Sequence, residues 1–328
     1  MKKRVLITGA SGFVGYHLIE EALHNNLEVY AAVRKSSKTD HLKEFDIQYT
    51  HLNYSDVNAL KKEIEEKQYN YIIHAAGVTT ALSEKEYNII NAGYTSNLAK
   101  AASEPGSGIE KFVFMGSLAA IGPLNNLNGI IDESTPPCPV TAYGRSKLLA
   151  EERLKKFTNL NYTILRPTGI YGPREKGIFI ILKQFVKGIE PYIGNKPQKL
   201  SFIYVKDLAT VTIKSLFGGD HKAYNLSDGN FYDRYELAEL TKSILGVKTI
   251  KFHLPVNFVK LIATFAEKFG YLSGKASALN VEKIKELTAI NWSCSIEEAQ
   301  HDLGFYPQYN LEKGLRETYN WYKVNKWL

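Results

Sequence analysis

Tyr143 and Lys147 lie four residues apart in the stretch TAYGRSK. On a helix this spacing puts both side chains on one face, one turn apart. A phenol has a pKa of about 10 and is a poor acid–base group at neutral pH, but a neighbouring ammonium favours the phenolate and lowers that pKa. The pair could therefore move a proton. A tyrosine and a lysine at this spacing also occur by chance on solvated helices.

Ser117 ends the apolar run in FVFMGSLAAIGP, which reads as a strand. In open α/β sheets, ligands bind at the carboxyl ends of the strands. A serine hydroxyl at that edge could hold a substrate carbonyl or carbinol oxygen while Tyr143 moves its proton. The other interpretation of Ser117 is a helix cap or a turn residue.

Three glycines follow the first apolar run, in the stretch TGASGFVGYHL. Gly9 allows a tight strand-to-helix turn, Gly12 lets the backbone approach a pyrophosphate, and Gly15 lets helix and strand pack closely. The N-terminus of the following helix would present free N–H groups and a positive dipole to phosphates. Because the glycines lie between a predicted strand and a predicted helix, they indicate a dinucleotide site.

The end of the second predicted strand, VYAAVRKSSK, indicates which dinucleotide binds. A carboxylate there would accept a hydrogen bond from the ribose 2′-OH of NAD, whereas an arginine would pair with the 2′-phosphate of NADP. Val33 occupies the position of the acid, and Arg34 and Lys35 follow it. A guanidinium–phosphate contact matches well, so NADP(H) is preferred over NAD(H). The alternative is a solvated basic loop.

The elements that must position these groups alternate through the first half of the chain. Predicted strands cover 5–8, 28–33, 47–52, 71–74, 111–115 and 162–166, and predicted helices cover 12–25, 59–66, 86–102 and 143–158. Alternating strands and helices imply right-handed crossovers. The predicted fold class is therefore α/β, a doubly wound parallel sheet with helices on both faces.

The alternation of predicted strands and helices ends after residue 166, and residues 168–200 are rich in Gly, Pro and Lys. One more strand and helix follow in SFIYVKDLATVTIKSLF, and one more strand in KAYNLSDG. Beyond 232 the pattern is mostly helical, near 233–245, 256–272, 296–303 and 311–324. We expect a nucleotide-binding domain of 1–167 plus 201–227 and a smaller, mostly helical substrate domain of 168–200 plus 228–328.

Composition excludes several functional classes. The net charge is +7, but the 41 basic residues are spread along the chain, which argues against a nucleic-acid partner. Two cysteines make neither a disulfide framework nor a metal cluster. No apolar stretch reaches membrane-spanning length and the N-terminal apolar run is too short for a leader, so a cytoplasmic enzyme is expected. No acidic metal cluster and no P-loop are present, so we expect no metal.

The ordered set TGASGFVG, HAAG, Asn91, Ser117, YGRSK, LRPTGIYGP and FIYVKDLA resembles the extended short-chain dehydrogenase/reductase superfamily. The resemblance runs through most of the chain. It implies a Rossmann domain, a nicotinamide cofactor and Ser117, Tyr143 and Lys147 as the catalytic trio. Lys147 would also hydrogen-bond the nicotinamide ribose, and the positive nicotinamide would further favour the Tyr143 phenolate.

The same resemblance implies a set of cofactor-binding residues. They are Gly9, Ser11, Gly12, Phe13, Val14, Gly15, Arg34, Lys35, Asn53, Tyr54, Ala75, Ala76, Gly77, Asn91, Tyr143, Lys147, Pro167 and Thr168. Asn53 departs from the aspartate often found there, which leaves its contact open. Helices 86–102 and 143–158 resemble those that form a four-helix homodimer interface in relatives.

Two positions that usually contact a substrate pyrophosphate indicate the branch of the superfamily, because neither carries the usual residue. Nucleotide-sugar members usually carry an Asn and an Arg that contact the substrate pyrophosphate, but here those positions are Thr168 and Leu200. Loss of charge-assisted contacts would weaken a diphosphate substrate, although Lys196 or Lys199 could substitute. The predicted substrate-binding residues are Ser117, Thr168 and Leu200.

The expected reaction is hydride transfer between NADP(H) and a small-molecule carbonyl or secondary alcohol. This reading places the chain nearest the branch that resembles 3β-hydroxysteroid dehydrogenases and dihydroflavonol reductases. The alternatives are a nucleotide-sugar epimerase or dehydratase with retained cofactor, and an NADP sensor without turnover. The apolar segment 253–272 is open to three readings: a lid over an apolar substrate, a membrane-surface contact or, as favoured here, packing within the C-terminal domain.

Overall fold

A sheet of seven parallel strands forms the centre of the molecule. A computed structural model describes residues 2–273, 276–277 and 280–328. The strands are β1 (Arg4–Thr8), β2 (Glu28–Ala32), β3 (Gln48–Thr50), β4 (Tyr71–His74), β5 (Lys111–Met115), β6 (Tyr162–Pro167), β7 (Gly169–Tyr171), β8 (Ile189–Ile193), β9 (Lys199–Leu200), β10 (Phe202–Tyr204), β11 (Lys222–Leu226), β12 (Tyr232–Asp233) and β13 (Ile250–Leu254). The central order is β11-β6-β5-β4-β1-β2-β3. The remaining strands form the pairs β10–β7, β12–β9 and β13–β8.

The helices pack on both faces of the central sheet and in the C-terminal part of the molecule. They are α1 (Phe13–His24), α2 (Val57–Lys67), α3 (Glu84–Tyr87), α4 (Tyr94–Ala102), α5 (Ala142–Leu154), α6 (Lys176–Val186), α7 (Val205–Lys214), α8 (Glu236–Leu245), α9 (Val256–Ser273), α10 (Val281–Leu287), α11 (Glu297–Leu303) and α12 (Leu311–Val324). Along β1, Val5 and Ile7 pack with α1 and α7, whereas Leu6 packs with α2, α4 and α5. Alternate side chains of a strand point to opposite faces, so both faces are apolar and buried.

The strand order reverses between β1 and β4, because the chain first builds β1-β2-β3 on one side and then β4-β5-β6 on the other. In doubly wound sheets this switch point is the crevice that takes the ligand. The predicted fold class, a doubly wound parallel sheet, is therefore confirmed. The glycine turn follows β1, and the HAAG segment follows β4, on the two sides of this crevice.

Some predicted boundaries are wrong. The helix predicted over 143–158 ends at Leu154, because Phe157 and Leu160 turn back onto the core of the sheet. The helix predicted over 86–102 is divided into α3, a π-helical turn over Asn88–Gly93, and α4. The strand in SFIYV is β10, which pairs with β7 outside the central sheet.

The C-terminal side contains more regular structure than the sequence pattern indicated. Residues 168–200 contain α6 and β8, where only an end of the alternation was expected, and β13 and α10 were also missed. Leu182 and Phe185 of α6 pack against Tyr322 of α12, so α6 owes its position to contacts far along the chain. Among the helices that the structure describes, none combines the length and apolarity that a membrane crossing requires.

Candidate active site

The glycine turn after β1 is shaped by close contacts within the protein. Gly9 has φ +69°, and a Cβ there would lie 2.7 Å from the Ala75 carbonyl oxygen. A Cβ on Gly15 would lie 2.2 Å from the Gly9 carbonyl oxygen. Gly12 differs, because its Cβ would meet only the Gly9 oxygen, at 3.1 Å. Gly9 and Gly15 are therefore required by the fold. A side chain at Gly12 would meet little of the protein and would extend outward, where a ligand could lie.

Gly12 is also the N-cap residue of α1. Having no side chain, it cannot cap the first N–H groups of the helix, and these are the groups that bind phosphate in such turns. Phe13 and Val14 form the first turn of α1, and Ser11 immediately precedes its N-cap. The geometry of the turn fits a pyrophosphate.

The end of β2 presents two cations to solvent. Val33 is buried, and the side chains of Arg34 and Lys35 are exposed. The Arg34 N–H donates to Ser37 Oγ at 3.2 Å, and the Ser37 N–H donates to the Arg34 carbonyl at 2.9 Å. This closed turn holds the backbone of Arg34 at the tip of β2, beside the glycine turn.

Asn53 and Tyr54 lie at the end of β3 but differ in exposure. The exposed Asn53 uses its Oδ1 to accept the Ser55 N–H at 3.2 Å. Tyr54 stacks on Tyr94 with ring centroids 5.4 Å apart, and burial raises the pKa of its phenol. Tyr54 is thus held largely by the protein, while Asn53 remains at the rim.

A hydrogen-bonded chain of buried side chains runs beneath the crevice from His74, the last residue of β4. The Thr95 hydroxyl donates to the Asn91 carbonyl at 2.6 Å, so it accepts from His74 Nε2 at 3.0 Å. His74 Nδ1 therefore accepts from the Thr8 hydroxyl at 2.8 Å, and Thr8 Oγ1 accepts the Ala76 N–H at 3.0 Å. Burial lowers the pKa of His74 to about 3, which keeps the imidazole neutral.

Asn91 fixes the segment that follows Ala75, Ala76 and Gly77. Its Oδ1 accepts the Val78 N–H at 2.8 Å, and its Nδ2 donates to the Val78 carbonyl at 3.0 Å and to Ser146 Oγ at 2.9 Å. Asn91 lies in the π-helical turn, a feature frequent at functional sites. A Cβ on Gly77 would approach Asn91 Oδ1 to 3.0 Å and Lys147 Nζ to 3.5 Å, so glycine is needed here for the close packing of these side chains.

Ser117 and Tyr143 are brought together by the end of β5 and the start of α5. Thr141 is the N-cap of α5 and accepts the Gly144 N–H at 3.0 Å, which sets the first turn that carries Tyr143. Ser117 is the N-cap of a short 3-10 turn, where its Oγ accepts the Ala119 N–H at 3.2 Å, and it lies close enough to the Tyr143 phenol to lower the pKa of that group. Burial raises the pKa of Tyr143 to about 12, and the Ser117 contact opposes that rise.

The sequence predicted that Lys147 lowers the pKa of Tyr143. In the structure the effect of burial is larger, and the pKa of Tyr143 is raised. The Lys147 ammonium donates to the Met115 carbonyl at 2.8 Å and lies 4.9 Å from the centroid of the Phe114 ring. Burial lowers the pKa of Lys147 to about 8, against the attraction of Glu151. In the absence of a cofactor, desolvation outweighs the expected charge effect, and both groups are pushed towards their neutral forms.

Glu151 and Arg166 form a buried ion pair behind the trio that sequence reasoning missed. Arg166 donates to both carboxylate oxygens of Glu151, at 2.6 to 3.1 Å, and both side chains are almost fully buried. A Cβ on Gly116 would lie 2.9 Å from the Leu165 carbonyl and 3.2 Å from Glu151 Oε1. The motif LRP contains this arginine, but its partner on α5 could be identified only once the strands and helices were assembled.

The helix α10, also missed, lies over the start of α5. Glu282 accepts the Ala142 N–H at 2.5 Å and pairs with Arg145, which also pairs with Glu84 at 2.8 Å. Glu286 lies close enough to Tyr143 to raise its pKa slightly. This helix therefore closes one side of the site.

The predicted substrate-side residues lie on different elements. Pro167 is buried at the end of β6, and Thr168 donates its hydroxyl to the Leu226 carbonyl at 3.2 Å. Leu200 lies in β9 and is paired with Tyr232 of β12. Both Thr168 and Leu200 are half-buried.

Comparison with known proteins shows the family to which the chain belongs. Residues 5–227 match the family described as the NAD dependent epimerase/dehydratase family. The UDP-glucose 4-epimerase of Vibrio cholerae is 28% identical over 336 residues, which cover 97% of this chain and 95% of that protein. The decarboxylating sterol-4-alpha-carboxylate 3-dehydrogenase of Saccharomyces cerevisiae is 25% identical, with 97% of each chain covered.

A solved structure shares the fold. The UDP-glucose 4-epimerase of Thermotoga maritima, determined with UDP-glucose, superposes with a TM-score of 0.81 at 20% identity. The match covers 98% of this chain and 99% of that one.

Proposed function

The chain belongs to the NAD dependent epimerase/dehydratase family of the extended short-chain dehydrogenase/reductase superfamily, and on that premise we propose that it transfers hydride reversibly between NADP(H) and a carbonyl or secondary alcohol. It is an NAD(P)-dependent enzyme of that family. The observation that carries the proposed reaction is that Ser117, just after β5, lies beside Tyr143 of α5, while the buried Lys147 of the same helix donates to the Met115 carbonyl at the end of β5.

The crevice fits a dinucleotide, since it lies at the switch point of the sheet and Gly12 leaves the N-terminus of α1 uncapped. The residues that would hold it are the eighteen predicted from the sequence, of which Asn91 acts by fixing the backbone after Gly77. When bound, the nicotinamide supplies or accepts the hydride.

Ser117, Tyr143 and Lys147 would together transfer the proton to or from the substrate oxygen. With a pKa of about 12, Tyr143 is protonated at neutral pH and can donate to the oxygen of a carbonyl undergoing reduction. Ser117 would orient that oxygen through its hydroxyl. Lys147 would bind the nicotinamide ribose, and its charge would stabilise the phenolate that remains. The reverse oxidation would use the same groups.

Arg34 would select the cofactor. Its exposed guanidinium can form a bidentate contact with a 2′-phosphate, and Lys35 adds a second cation. NADP(H) would therefore bind more tightly than NAD(H). In the variant Arg34→Ala, we expect NADPH affinity to fall about tenfold to a hundredfold, with NADH affinity nearly unchanged.

For the substrate, the residues favour a carbonyl compound without a diphosphate. Neither Thr168 nor Leu200 carries a charge that could pair with a pyrophosphate. The second candidate is a nucleotide-sugar epimerase, which similarity to the Vibrio cholerae enzyme supports. Such an enzyme would use the same first hydride transfer and return the hydride to the other face of the substrate.

The test compares cofactors and substrates directly. Titration with NADPH and NADH measures the preference, and turnover with carbonyls and secondary alcohols is followed by the absorbance of the reduced nicotinamide. UDP- and dTDP-sugars are tested in parallel by thermal shift and by product analysis. Tighter NADH binding would refute the cofactor proposal. Epimerised sugar without net nicotinamide turnover would replace the reductase proposal by the second candidate.

We also keep as proposals the division into a cofactor domain, 1–167 plus 201–227, and a substrate domain, 168–200 plus 228–328. The packing of α7 on α1 and the pairing of β11 with β6 support the first grouping. A homodimer through α4 and α5, and a cytoplasmic location, are further proposals.

A further inference from the structure

The helix α9 directs its large apolar side chains into solvent. The exposed fractions are 52% for Phe258, 55% for Leu261, 45% for Ile262, 64% for Phe265 and 74% for Phe269. These positions recur every three or four residues and form one stripe along the helix. A helix packed on a globular core normally buries such a stripe.

The opposite side of α9 is apolar as well, but its residues are smaller. Val259 and Ala263 are buried against Ile193, Leu254 and Ile284. The helix is therefore attached to the protein by its small residues. This arrangement disagrees with the sequence reading that its aromatic residues pack within the C-terminal domain.

The strand pair beside α9 extends the exposed apolar surface. In the β8–β13 pair, Ile250 is opposite Ile189, and Phe252 is opposite Pro191. Alternation along each strand puts Ile189, Ile250 and Phe252 on the same face as Ile193 and Leu254, which pack against α9. We call the exposed residues of this face and of the helix the α9 surface: Ile189, Ile250, Phe252, Phe258, Leu261, Ile262, Phe265 and Phe269.

The charge around the α9 surface has one dominant sign. Residues 248–273 contain four lysines, Lys248, Lys251, Lys260 and Lys268, against one acidic residue, Glu267. Lys248 and Lys268 are exposed, whereas Lys251 alternates with Ile250 and Phe252 and lies on the other face of the strand pair, with its ammonium 3.6 Å from the Tyr235 ring centroid. The Glu267 carboxylate accepts the Val281 N–H at 3.3 Å. Phenylalanines and leucines flanked by lysines on one helix are typical of helices that lie in a membrane interface.

We propose that the α9 surface docks this protein on a bilayer that contains anionic phospholipids. The aromatic and aliphatic side chains would enter the boundary between headgroups and acyl chains, while the exposed Lys248 and Lys268 would meet lipid phosphates. A second copy of the chain is a poorer occupant, because its own α9 surface would offer no exposed anion to Lys248 and Lys268. The proposal stands on the surface itself and does not depend on the reaction proposed above.

The docked orientation would place the site near the lipid. Ala81 and Leu82 line a cleft with Glu267 and Lys268 of α9. Tyr87 donates its hydroxyl to the Thr79 carbonyl and lies 6.3 Å from Tyr143, measured between ring centroids. Tyr87 therefore joins the proposed proton donor to Thr79, which lies two residues before the cleft residue Ala81.

The experiment measures binding of the full chain to vesicles by flotation. Vesicles of phosphatidylcholine alone are compared with vesicles of about three parts phosphatidylcholine to one part phosphatidylglycerol. We expect binding to the anionic vesicles to be at least about tenfold stronger, and Phe265→Glu with Phe269→Glu to abolish it. Phe217→Glu is the matched control, since Phe217 is 70% exposed but lies next to Tyr71, far from α9 in the sequence. Far-UV circular dichroism and NADPH titration show whether each variant remains folded.

A second pair of variants keeps the outcome decisive if the glutamates disturb α9. Phe265→Trp should lose fluorescence with brominated anionic lipids, whereas Phe217→Trp should not. Absence of vesicle binding, binding that ignores anionic lipid, or equal quenching of both tryptophans would each overturn the proposal. Conversion of a dimer to a monomer by the glutamate variant, without any vesicle binding, would assign the surface to a second copy.

Discussion

Two buried polar clusters lie on neighbouring strands of the sheet, and they use their hydrogen bonds differently. At the end of β4, His74 has both ring nitrogens bonded to threonine hydroxyls, which are themselves bonded to the backbone. At the end of β5, the Tyr143 phenol contacts Ser117, and the Lys147 ammonium donates one hydrogen bond to the Met115 carbonyl. Burial shifts the pKa values in both clusters towards the neutral form.

The difference separates a cluster that holds the fold from one that can do chemistry. The His74 cluster is saturated, so it can position Ala76 and Asn91 but has no proton to give to a ligand. The β5 cluster retains unused capacity, because a phenol can still accept, and an ammonium has three hydrogens to donate. A substrate oxygen and a ribose hydroxyl would complete it.

The largest effect that tests this comparison is expected from Tyr143→Phe. Removal of one hydroxyl takes away the proton donor but leaves the ring that packs against Tyr87. We expect kcat to fall about a hundredfold to ten-thousandfold, in the range of general-acid catalysis, with NADPH affinity unchanged. Steady-state kinetics and a cofactor titration provide the two measurements.

Ser146→Ala is a control for loss of a hydroxyl on the same helix, since Ser146 donates to the Tyr143 carbonyl and accepts from Asn91. It should reduce activity much less than Tyr143→Phe. If Tyr143→Phe keeps wild-type turnover, the β5 cluster is not the catalytic one, and the distinction between the two clusters fails.

A smaller effect, on stability, is expected from His74→Leu. The change removes hydrogen bonds to Thr8 and Thr95 in a buried site, and we expect it to cost about 2–4 kcal/mol of unfolding free energy. Because the pKa of His74 is about 3 when folded and 6.5 when unfolded, wild-type stability falls as pH drops below 6.5. The variant should lack that part of the acid dependence. Urea unfolding at several pH values measures both.

His24→Leu, at an exposed histidine in α1, is the matched control and should change stability little. The comparison predicts that His74→Leu lowers kcat far less than Tyr143→Phe does. A His74 variant of wild-type stability that has lost its turnover would move His74 into the catalytic cluster.

Sequence reasoning located the β5 cluster from one local spacing and from the family resemblance. Tyr143 and Lys147 are one helical turn apart, and the resemblance joined to them Ser117, which lies just after β5. It missed the role of His74 because that role depends on Thr8 and Thr95, which lie 66 and 21 residues away. The Glu151–Arg166 pair was missed for the same reason.

The C-terminal side was harder to predict, since its elements depend on distant contacts. The strand β13 forms only by pairing with β8, about 60 residues earlier in the chain, as in the pair Ile250–Ile189. The apolar periodicity of α9 was read correctly as a helix, but periodicity cannot tell which apolar face is buried. In α9 the small residues face the protein, the reverse of the usual arrangement.

The smallest of the expected effects concerns Lys147. Its buried ammonium is needed for the proposed function but lowers the stability of the folded protein. Its pKa is about 8 in the folded chain and 10.5 in the unfolded chain. Below pH 8 the folded protein must hold a buried ammonium, whereas between pH 8 and 10.5 the unfolded chain binds more protons, so stability gains with rising pH. Burial of the Lys147 ammonium therefore lowers the wild-type free energy of unfolding most at pH values below 8, including neutral pH.

We therefore expect Lys147→Met to be more stable than wild-type by about 1–3 kcal/mol at pH 7, and to lose that advantage as the pH approaches 10.5. Activity should be lost together with ribose binding, which is the trade expected at a site strained for function. Lys155→Met, at an exposed lysine just after α5, is the control and should show no such pH-dependent gain. A Lys147→Met protein that is less stable at every pH would mean that Lys147 is as well satisfied as His74, and that the two clusters differ only in the chemistry of their side chains.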